Sequence, residues 1–573
     1  MVELSNKEMA TILRELADLL EIRGENRFKV RAYYNAARRL TAINQDLHQL
    51  VTTNRLKELP GIGKGITALI KETLENGYCS TLEEIKRELP AGLLELLMVP
   101  GLGPKKAHHL FYQLGIEDIE GLKKGLEKGQ VRELKGFGAK TEQKLLASLE
   151  EYQSYQKLII LQHALLHSQE LIEELKRYQG VLQIERAGSI RRMKEVTGDI
   201  DLLVAGKERA GIINYFIRLP LVETVTLQGE NKGSVRTEQG IQVDLRVVSP
   251  AEFPAALQYF TGSKEHNVRL RELAKKSGYK LNEYGLFKDE QRVELKSEQD
   301  IYRFLKLDYI IPELREDRGE LAAAAAGKLP VSISYQDIKG DLHLHSRFSD
   351  GVHSIEELVQ TARQRGYQYI AITDHSQSLR VAHGMSPETL QQQLGEIEHL
   401  QDRYSDIKIL KGIEVDINSD GSLDYPDQIL EQLDLVIAAI HTGFGQGKAE
   451  ITERMIKAME NPYVKIIAHP QGRILKKRSA YQIDRERLME KARETNTCLE
   501  INSSAYRLDL DDLTVRMAKG YGVKLAINTD SHHRNEFDNM ILGIAVARRG
   551  WLEKDDVINT MEIEQLLSFL RGD

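Results

Sequence analysis

Gly188-Ser189-Ile190-Arg191-Arg192-Met193-Lys194-Glu195-Val196-Thr197-Gly198-Asp199-Ile200-Asp201-Leu202-Leu203-Val204 is the stretch that decides how the first half of the chain folds. Its last part, Asp199–Val204, has strand character. Side chains alternate along a strand, so Asp199 and Asp201 share one face while Ile200 turns to the core. A second strand, Ile241–Val248, carries Asp244 in Val243-Asp244-Leu245-Arg246-Val247. Three carboxylates converging on one face repel each other unless cations intervene. Two Mg²⁺ or Mn²⁺ ions would relieve that repulsion, activate a hydroxyl and neutralise a triphosphate. The Gly188-Ser189 turn, with Arg191 or Arg192, can cradle phosphates. Asp-x-Asp by itself also fits an ordinary surface strand edge.

Upstream, residues 5–58 read as helices, with apolar positions at helical spacing through Ile12, Leu16, Leu19 and Leu20 and through Ala36, Ala37 and Leu40. A repeat follows. Leu59-Pro60-Gly61-Ile62-Gly63, Val99-Pro100-Gly101-Leu102-Gly103 and Leu134-Lys135-Gly136-Phe137-Gly138 share a Gly-apolar-Gly turn between two helices. Such a turn exposes backbone N–H groups at a helix start, where a phosphate can approach closely. Lys64, Lys105, Lys106 and Lys140 follow and add charge. The repeat resembles the helix-hairpin-helix module of DNA repair proteins, which implies a grip on DNA without sequence preference.

Downstream, residues 316–336 hold five consecutive alanines followed by Gly-Lys-Leu-Pro, a linker candidate or a short capping helix. After Asp337, short apolar strands alternate with helical stretches. Tyr369–Ile372, Ile407–Leu410, Leu435–Ile440, Val464–Ala468, Cys498–Ile501 and Lys524–Asn528 are predicted strands, a rhythm that reads as a βα barrel. His343 and His345 end a strand before them. Asp350, His375, Glu414, His441, His469, Asp530 and His532 follow, nearly all at C-terminal strand ends, where side chains of a βα barrel converge. These nine N/O donors, without thiols, suit Zn²⁺, Mn²⁺ or Fe²⁺. Nine is too many for one ion, so two or three ions bridged by Glu414 are expected. His353, His383 and His533 are read as outlying or surface groups.

Composition bounds these readings. At 573 residues, 41% hydrophobic and 29% charged, the chain is a folded protein of about three or four domains. No apolar run approaches the ~20 residues of a membrane span, and no secretory signal pattern opens the chain. Two distant cysteines, Cys79 and Cys498, exclude a disulfide framework and point to a reducing cytoplasm. Net charge is −7, yet residues 1–336 carry 50 Lys and Arg against 48 Asp and Glu, whereas the rest carries 29 against 38. Ten of 16 histidines follow residue 336.

Gly-Ser followed by Gly-Asp-Ile-Asp resembles the nucleotidyltransferase fold of DNA polymerase beta, and Tyr259-Phe260-Thr261-Gly262-Ser263 resembles the thumb motif of family X DNA polymerases. The resemblance implies that Asp199 and Asp201 hold both metals, with Asp244 completing the catalytic one. It implies that Gly188, Ser189, Arg192 and Gly198 contact the deoxynucleoside triphosphate. Tyr259, Phe260 and Gly262 would lie under the sugar, and Asn267 and Arg271 along the minor groove. Gly61, Gly63, Lys64, Gly101, Gly103, Lys105, Gly136, Gly138 and Lys140 would contact DNA. Two positions depart from the family: Gln242 replaces an Arg near the triad, and Leu69 occupies the place of a Schiff-base Lys, so no lyase is expected. The nine-donor set resembles the polymerase and histidinol phosphatase (PHP) domain. The fold expected is multidomain α/β: helical domain 1–88, fingers-like domain 89–150, palm 151–250, thumb 251–315, linker 316–336 and a distorted PHP βα barrel 337–573. The activity implied is filling short gaps in primed DNA, with removal of 3′ nucleotides by the barrel and cleavage at abasic sites as a further expectation. The alternatives are a phosphatase or pyrophosphatase barrel, or a DNA-binding repair scaffold. A cytoplasmic monomer without membrane contact is expected.

Overall fold

Helical periodicity sets the first 150 residues. In the computed structural model, which describes residues 4, 6–42, 47–59 and 61–572, helices Asn6–Arg23 and Arg27–Ala42 pack face to face. Leu13, Leu16, Leu20, Ala36 and Leu40 are buried between them and enter one apolar core that extends to Leu149. Pro60 of the first hairpin lies outside the described residues. Each hairpin anchors its middle residue in that core: Ile62, Leu102 and Phe137 are buried. The flanking glycines stay exposed.

The palm is a five-stranded sheet. Its strands are β1 (Val181–Arg186), β2 (Ile200–Gly206), β3 (Val222–Gln228), β4 (Lys232–Thr237) and β5 (Gln242–Val248), in the order β1-β2-β5-β4-β3. β2 and β5 run parallel, and their register pairs Asp201 with Asp244. Strand alternation sends Leu202, Val204, Val243, Leu245 and Val247 into the core beneath. Helices Phe253–Thr261 and Lys264–Lys276 lead into a thumb with its own apolar cluster.

Residues 316–336, expected as a linker, are packed rather than free. Helix Glu320–Ala325 forms from the alanines. Leu321 and Ala324 enter the thumb cluster, and buried Glu320 accepts from His266 Nδ1 at 2.7 Å. Glu316 and Arg318 reach the last domain through Arg549 at 3.0 Å and Asp512 at 3.0 Å. Alanine has the lowest entropic cost in a helix, so six residues suffice once a core covers one face.

The last domain carries seven parallel strands in sequential order: β6 (Gly340–Leu344), β7 (Tyr369–Ile372), β8 (Lys408–Asp416), β9 (Leu435–Ala439), β10 (Val464–Ile467), β11 (Cys498–Asn502) and β12 (Leu525–Asn528). A parallel bridge between Leu344 and Ser531, with His345 N–H donating to Ser531 O at 2.9 Å, nearly closes the sheet into a barrel. Leu342, Ala371, Leu410, Ile437, Ile466 and Ala526 fill its interior, and Leu566 and Leu570 of helix Ile563–Arg571 join that cluster. Trp551 packs on the thumb cluster, with the Arg516 guanidinium 4.1 Å above its ring. No helix among the described residues is long and apolar enough to cross a membrane.

Candidate active sites

Gly188 explains the start of the palm site. It has φ 58°, and a Cβ there would lie 2.1 Å from Asp201 Oδ2, so only glycine lets the turn approach the carboxylate. Asp201 is the second residue of β2 and Asp199 immediately precedes that strand. Burial, reinforced by Asp199 and Asp244, pushes the Asp201 carboxyl up to about 7. Burial and Asp244 also raise Asp199. Burial would raise Asp244 as well, but hydrogen bonds from Lys232, Gln242 and Ser234 outweigh it and hold the group low. Lys232 Nζ is 2.6 Å from one Asp244 oxygen, and Gln242 Nε2 donates to the other at 3.1 Å. Thus Gln242 supports the triad carboxylate directly. Three acids drawn together, one of them raised to about 7 by burial and by its neighbours, could hold divalent cations, which relieve the repulsion that protons otherwise relieve.

The other expected nucleotide contacts cluster around this face. Ser189 Oγ is bonded to Thr197 Oγ1. Arg192 is tied to Glu316 at 2.9 Å and donates to Thr261 O at 2.5 Å. Gly262, at φ 73°, lies against that guanidinium; a Cβ there would be 3.0 Å from Arg192 Nη1. The rings of Tyr259 and Phe260 meet edge to face at 5.1 Å, and the Arg246 guanidinium covers Phe260 at 4.5 Å. Asn267 donates to Tyr259 O at 2.6 Å, and Arg271 donates to Asn267 O at 3.3 Å. Gly198 leads into Asp199.

The hairpin turns are alike in two cases. Gly61 and Gly101 have φ 90° and 88°, and Gly63 and Gly103 cap the next helices in extended geometry. The third differs: Gly136 has φ 95°, but Gly138 is itself left-handed at φ 54° and Phe137 takes the cap position. Lys64, Lys105 and Lys140 are exposed; Lys105 Nζ lies 3.9 Å from Glu21. Leu69 is buried in the helical core.

Around the mouth of the barrel, Glu414 is the hub. His375 Nδ1 lies 2.7 Å from it, His469 Nε2 3.1 Å, His441 Nε2 3.3 Å and His343 Nε2 3.5 Å. Asp530 is 3.1 Å from His345 Nε2, and Asp350 is 3.3 Å from His532 Nε2. Three overlapping groups could each hold an ion: His345, Asp350, His375 and His532; His343, His345 and Asp530; His375, Glu414 and His441. His469 joins through Glu414 rather than through one of these groups. The buried Nε2 of His343, both ring nitrogens of His345, Nδ1 of His375 and Oε2 of Glu414 have no hydrogen-bond partner. Orphaned donors of this kind, pointing together, fit bound cations. Burial holds His345 and His469 down to about 4, leaving lone pairs free at neutral pH. Nearby carboxylates outweigh burial at His441 and His532 and lift them to about 9 and about 10, so a cation competes there with a proton.

Sequence reasoning missed the groups behind the ligands. Glu500 accepts from His343 Nδ1 at 2.7 Å, and Asp416 accepts from His441 Nδ1 at 2.8 Å. A lone carboxylate in the apolar run Cys498-Leu499-Glu500-Ile501 was the available signal. His353 meets His533 edge to face at 4.6 Å beside Glu357, outside the three groups.

A sheet with a carboxylate triad, a thumb, hairpin domains and a His-rich barrel define a nucleotidyltransferase joined to a metal-dependent phosphoesterase. Known families match in the same order: helix-hairpin-helix domain over residues 4–79, SAM-like helix-hairpin-helix tandem over 93–151, DNA polymerase beta thumb over 256–316 and PHP domain over 341–504. "DNA polymerase/3'-5' exonuclease PolX" of Bacillus subtilis is 40% identical over 570 residues, 99% of each chain. A probable phosphatase of Thermoanaerobacter sp. is 31% identical over 242 residues, 40% of this chain and 94% of that protein. The solved Leishmania infantum polymerase beta ternary complex shares 27% identity over 39% of this chain and 98% of its own, with a TM-score of 0.27. The chain belongs to the PolX family, the family X DNA polymerases that carry a PHP domain.

Proposed function

We propose that this chain fills short gaps in primed DNA with deoxynucleotides at the palm and removes 3′ nucleotides at the barrel. The observation that supports this reading is a pair of separate clusters in one chain: carboxylates drawn together at the palm, and overlapping His and acidic groups at the barrel that could hold metal ions. Asp199, Asp201 and Asp244 would hold Mg²⁺ or Mn²⁺ at the palm; His343, His345, Asp350, His375, Glu414, His441, His469, Asp530 and His532 would hold two or three Mn²⁺ or Zn²⁺ ions at the barrel. Such ions supply charge neutralisation at phosphate and a lower pKa for a bound water or hydroxyl. The chain's own residues do the rest. Asp244, held ionised, accepts the proton of the primer 3′-hydroxyl. The Gly188-Ser189 turn and Arg192 receive the triphosphate. Asn267 fixes the Tyr259 carbonyl against the sugar, where a 2′-hydroxyl would collide. Arg271 follows the minor groove, and the hairpin glycines and lysines hold the duplex backbone. The division into 1–88, 89–150, 151–250 and 251–315 fits these roles. Both sites draw on one chain, which supports a monomer, and the cytoplasm is where such substrates occur.

Likeness to probable phosphatases favours a second reading, in which the barrel removes terminal phosphates. One experiment separates them. Asp201→Ala should abolish primer extension on gapped DNA and spare 3′ degradation of a single-stranded oligonucleotide in Mn²⁺. His343→Ala should do the reverse. Intact 3′ hydroxyl-ended oligonucleotide beside dephosphorylated 3′-phosphate substrate in the wild type would select the phosphatase. Wild-type extension by Asp201→Ala would refute the triad.

A further inference from the structure

We propose that a cationic trough between palm and barrel binds the single-stranded 3′ end of DNA and passes it from the polymerase site to the barrel site. The proposal rests on the two activities assigned above. The trough is a cavity of about 970 Å³ walled by both domains. From the palm come Lys157, His163 and Arg236; from the barrel come Lys476, Lys477 and Tyr506. No Asp or Glu lines it, although the chain as a whole is acidic at −7. None of the four Lys and Arg side chains pairs with a carboxylate among the described residues. Unneutralised cations facing one another across a gap favour a polyanion.

The wall is built, not accidental. Ile474 and Arg478 pair across a tight turn whose tip is Lys476 and Lys477. Lys476 is held at φ 64°, a conformation that favours glycine, yet a lysine occupies it. The turn is fastened to the palm: Gln156 Nε2 donates to Lys476 O at 3.0 Å. Tyr506 is 47% exposed, with Lys477 Nζ 5.9 Å from its ring centre and His163 edge-on at 6.0 Å. An exposed aromatic among cations is how sequence-independent sites hold unpaired bases and backbone together.

Residues that line the trough adjoin both sites along the chain. At one, Gly198 precedes Asp199, and Gln242 donates to Asp244 at 3.1 Å. At the other, Arg507 follows Tyr506 and lies 3.6 Å from Asp530 of the barrel cluster. A frayed 3′ end leaving the triad therefore enters the trough and emerges beside the barrel donors.

The test uses the full chain bound to a primer–template with two unpaired 3′ nucleotides. Mn²⁺ is added together with excess unlabelled DNA, so only excision without dissociation is read. The wild type should trim the primer under these conditions. Arg236→Gln/Lys476→Gln/Lys477→Gln should lose at least tenfold of this trap-resistant trimming. Tyr506→Leu should lose several-fold. Matched-primer extension and hydrolysis of bis(p-nitrophenyl) phosphate should be unchanged in both. Wild-type trapping efficiency in the triple variant, or no trap-resistant trimming by the wild type while it hydrolyses the small diester and free oligonucleotide, overturns the proposal. If the wild type hydrolyses neither substrate, the nuclease assignment itself fails. Anisotropy with labelled oligothymidylate then decides the trough: tenfold weaker binding by the triple variant supports it, and equal affinity overturns it.

Discussion

Glu500 shows what a single residue adds behind the barrel's candidate metal ligands. It is fully buried and accepts from His343 Nδ1, Asn528 and the His469 backbone N–H at 2.7, 3.0 and 2.8 Å. It therefore fixes which nitrogen of His343 faces the cluster. Burial opposes its ionisation, but His343 outweighs burial and holds the carboxyl low. Glu500→Gln keeps shape and removes charge; retention of barrel metal and 3′ degradation should fall about 10–100-fold, with primer extension unchanged. Metal analysis after dialysis and an exonuclease assay check this together. The nine donors were legible because His and acidic residues recur at predicted strand ends. Glu500 and Asp416 were not, because a carboxylate behind a ligand leaves no spacing signature.

Among elements, strand β8 records why boundaries slip. The apolar run predicts a strand ending at Leu410, but β8 continues to Asp416 through Gly412. Glycine ordinarily weakens a strand; here a Cβ would lie 2.7 Å from Ile372 O of β7, so close packing requires it. The hairpins were legible as repeats, since glycines at fixed spacing need no tertiary information. That the third turn adds a second left-handed residue at Gly138 was not legible, because it depends on backbone torsions alone. At Gly101, with φ 88°, valine is strained by ~1–2 kcal/mol. Gly101→Val should weaken gapped-duplex binding several-fold in a titration while leaving free-oligonucleotide degradation intact. Affinity of the wild type should fall steeply with salt, as counterion release demands.

For the whole molecule, a largely buried chain of charges joins the palm to the barrel through the 316–336 segment. Arg192 of the palm meets Glu316, which meets Arg549, which meets Asp512, at 2.9, 3.0 and 2.6 Å. Burial alone would raise Glu316, but Arg549 and Arg192 outweigh it and hold the carboxyl at about 2. Its contribution is therefore complete above the ordinary carboxylate pKa and fades as pH falls toward 2. Glu316→Gln should cost ~2–3 kcal/mol at neutral pH, with the difference from wild type shrinking in acid melts. Freed from its partner, Arg192 should also bind nucleotide less well, read as a higher KM. These joints were invisible in the sequence, since the partners lie far apart along the chain: Arg192 and Glu316 are 124 residues apart, and Glu316 and Arg549 are 233 apart.

The seam between thumb and barrel also holds Trp551, the one tryptophan in the chain, beneath the Arg516 guanidinium at 4.1 Å and against the thumb cluster. Indole emission responds to a nearby cation and to water. The protein thus carries a native optical gauge at the seam between thumb and barrel. Fluorescence that shifts on adding gapped DNA would register the thumb parting from the barrel, without a label and in the unaltered chain.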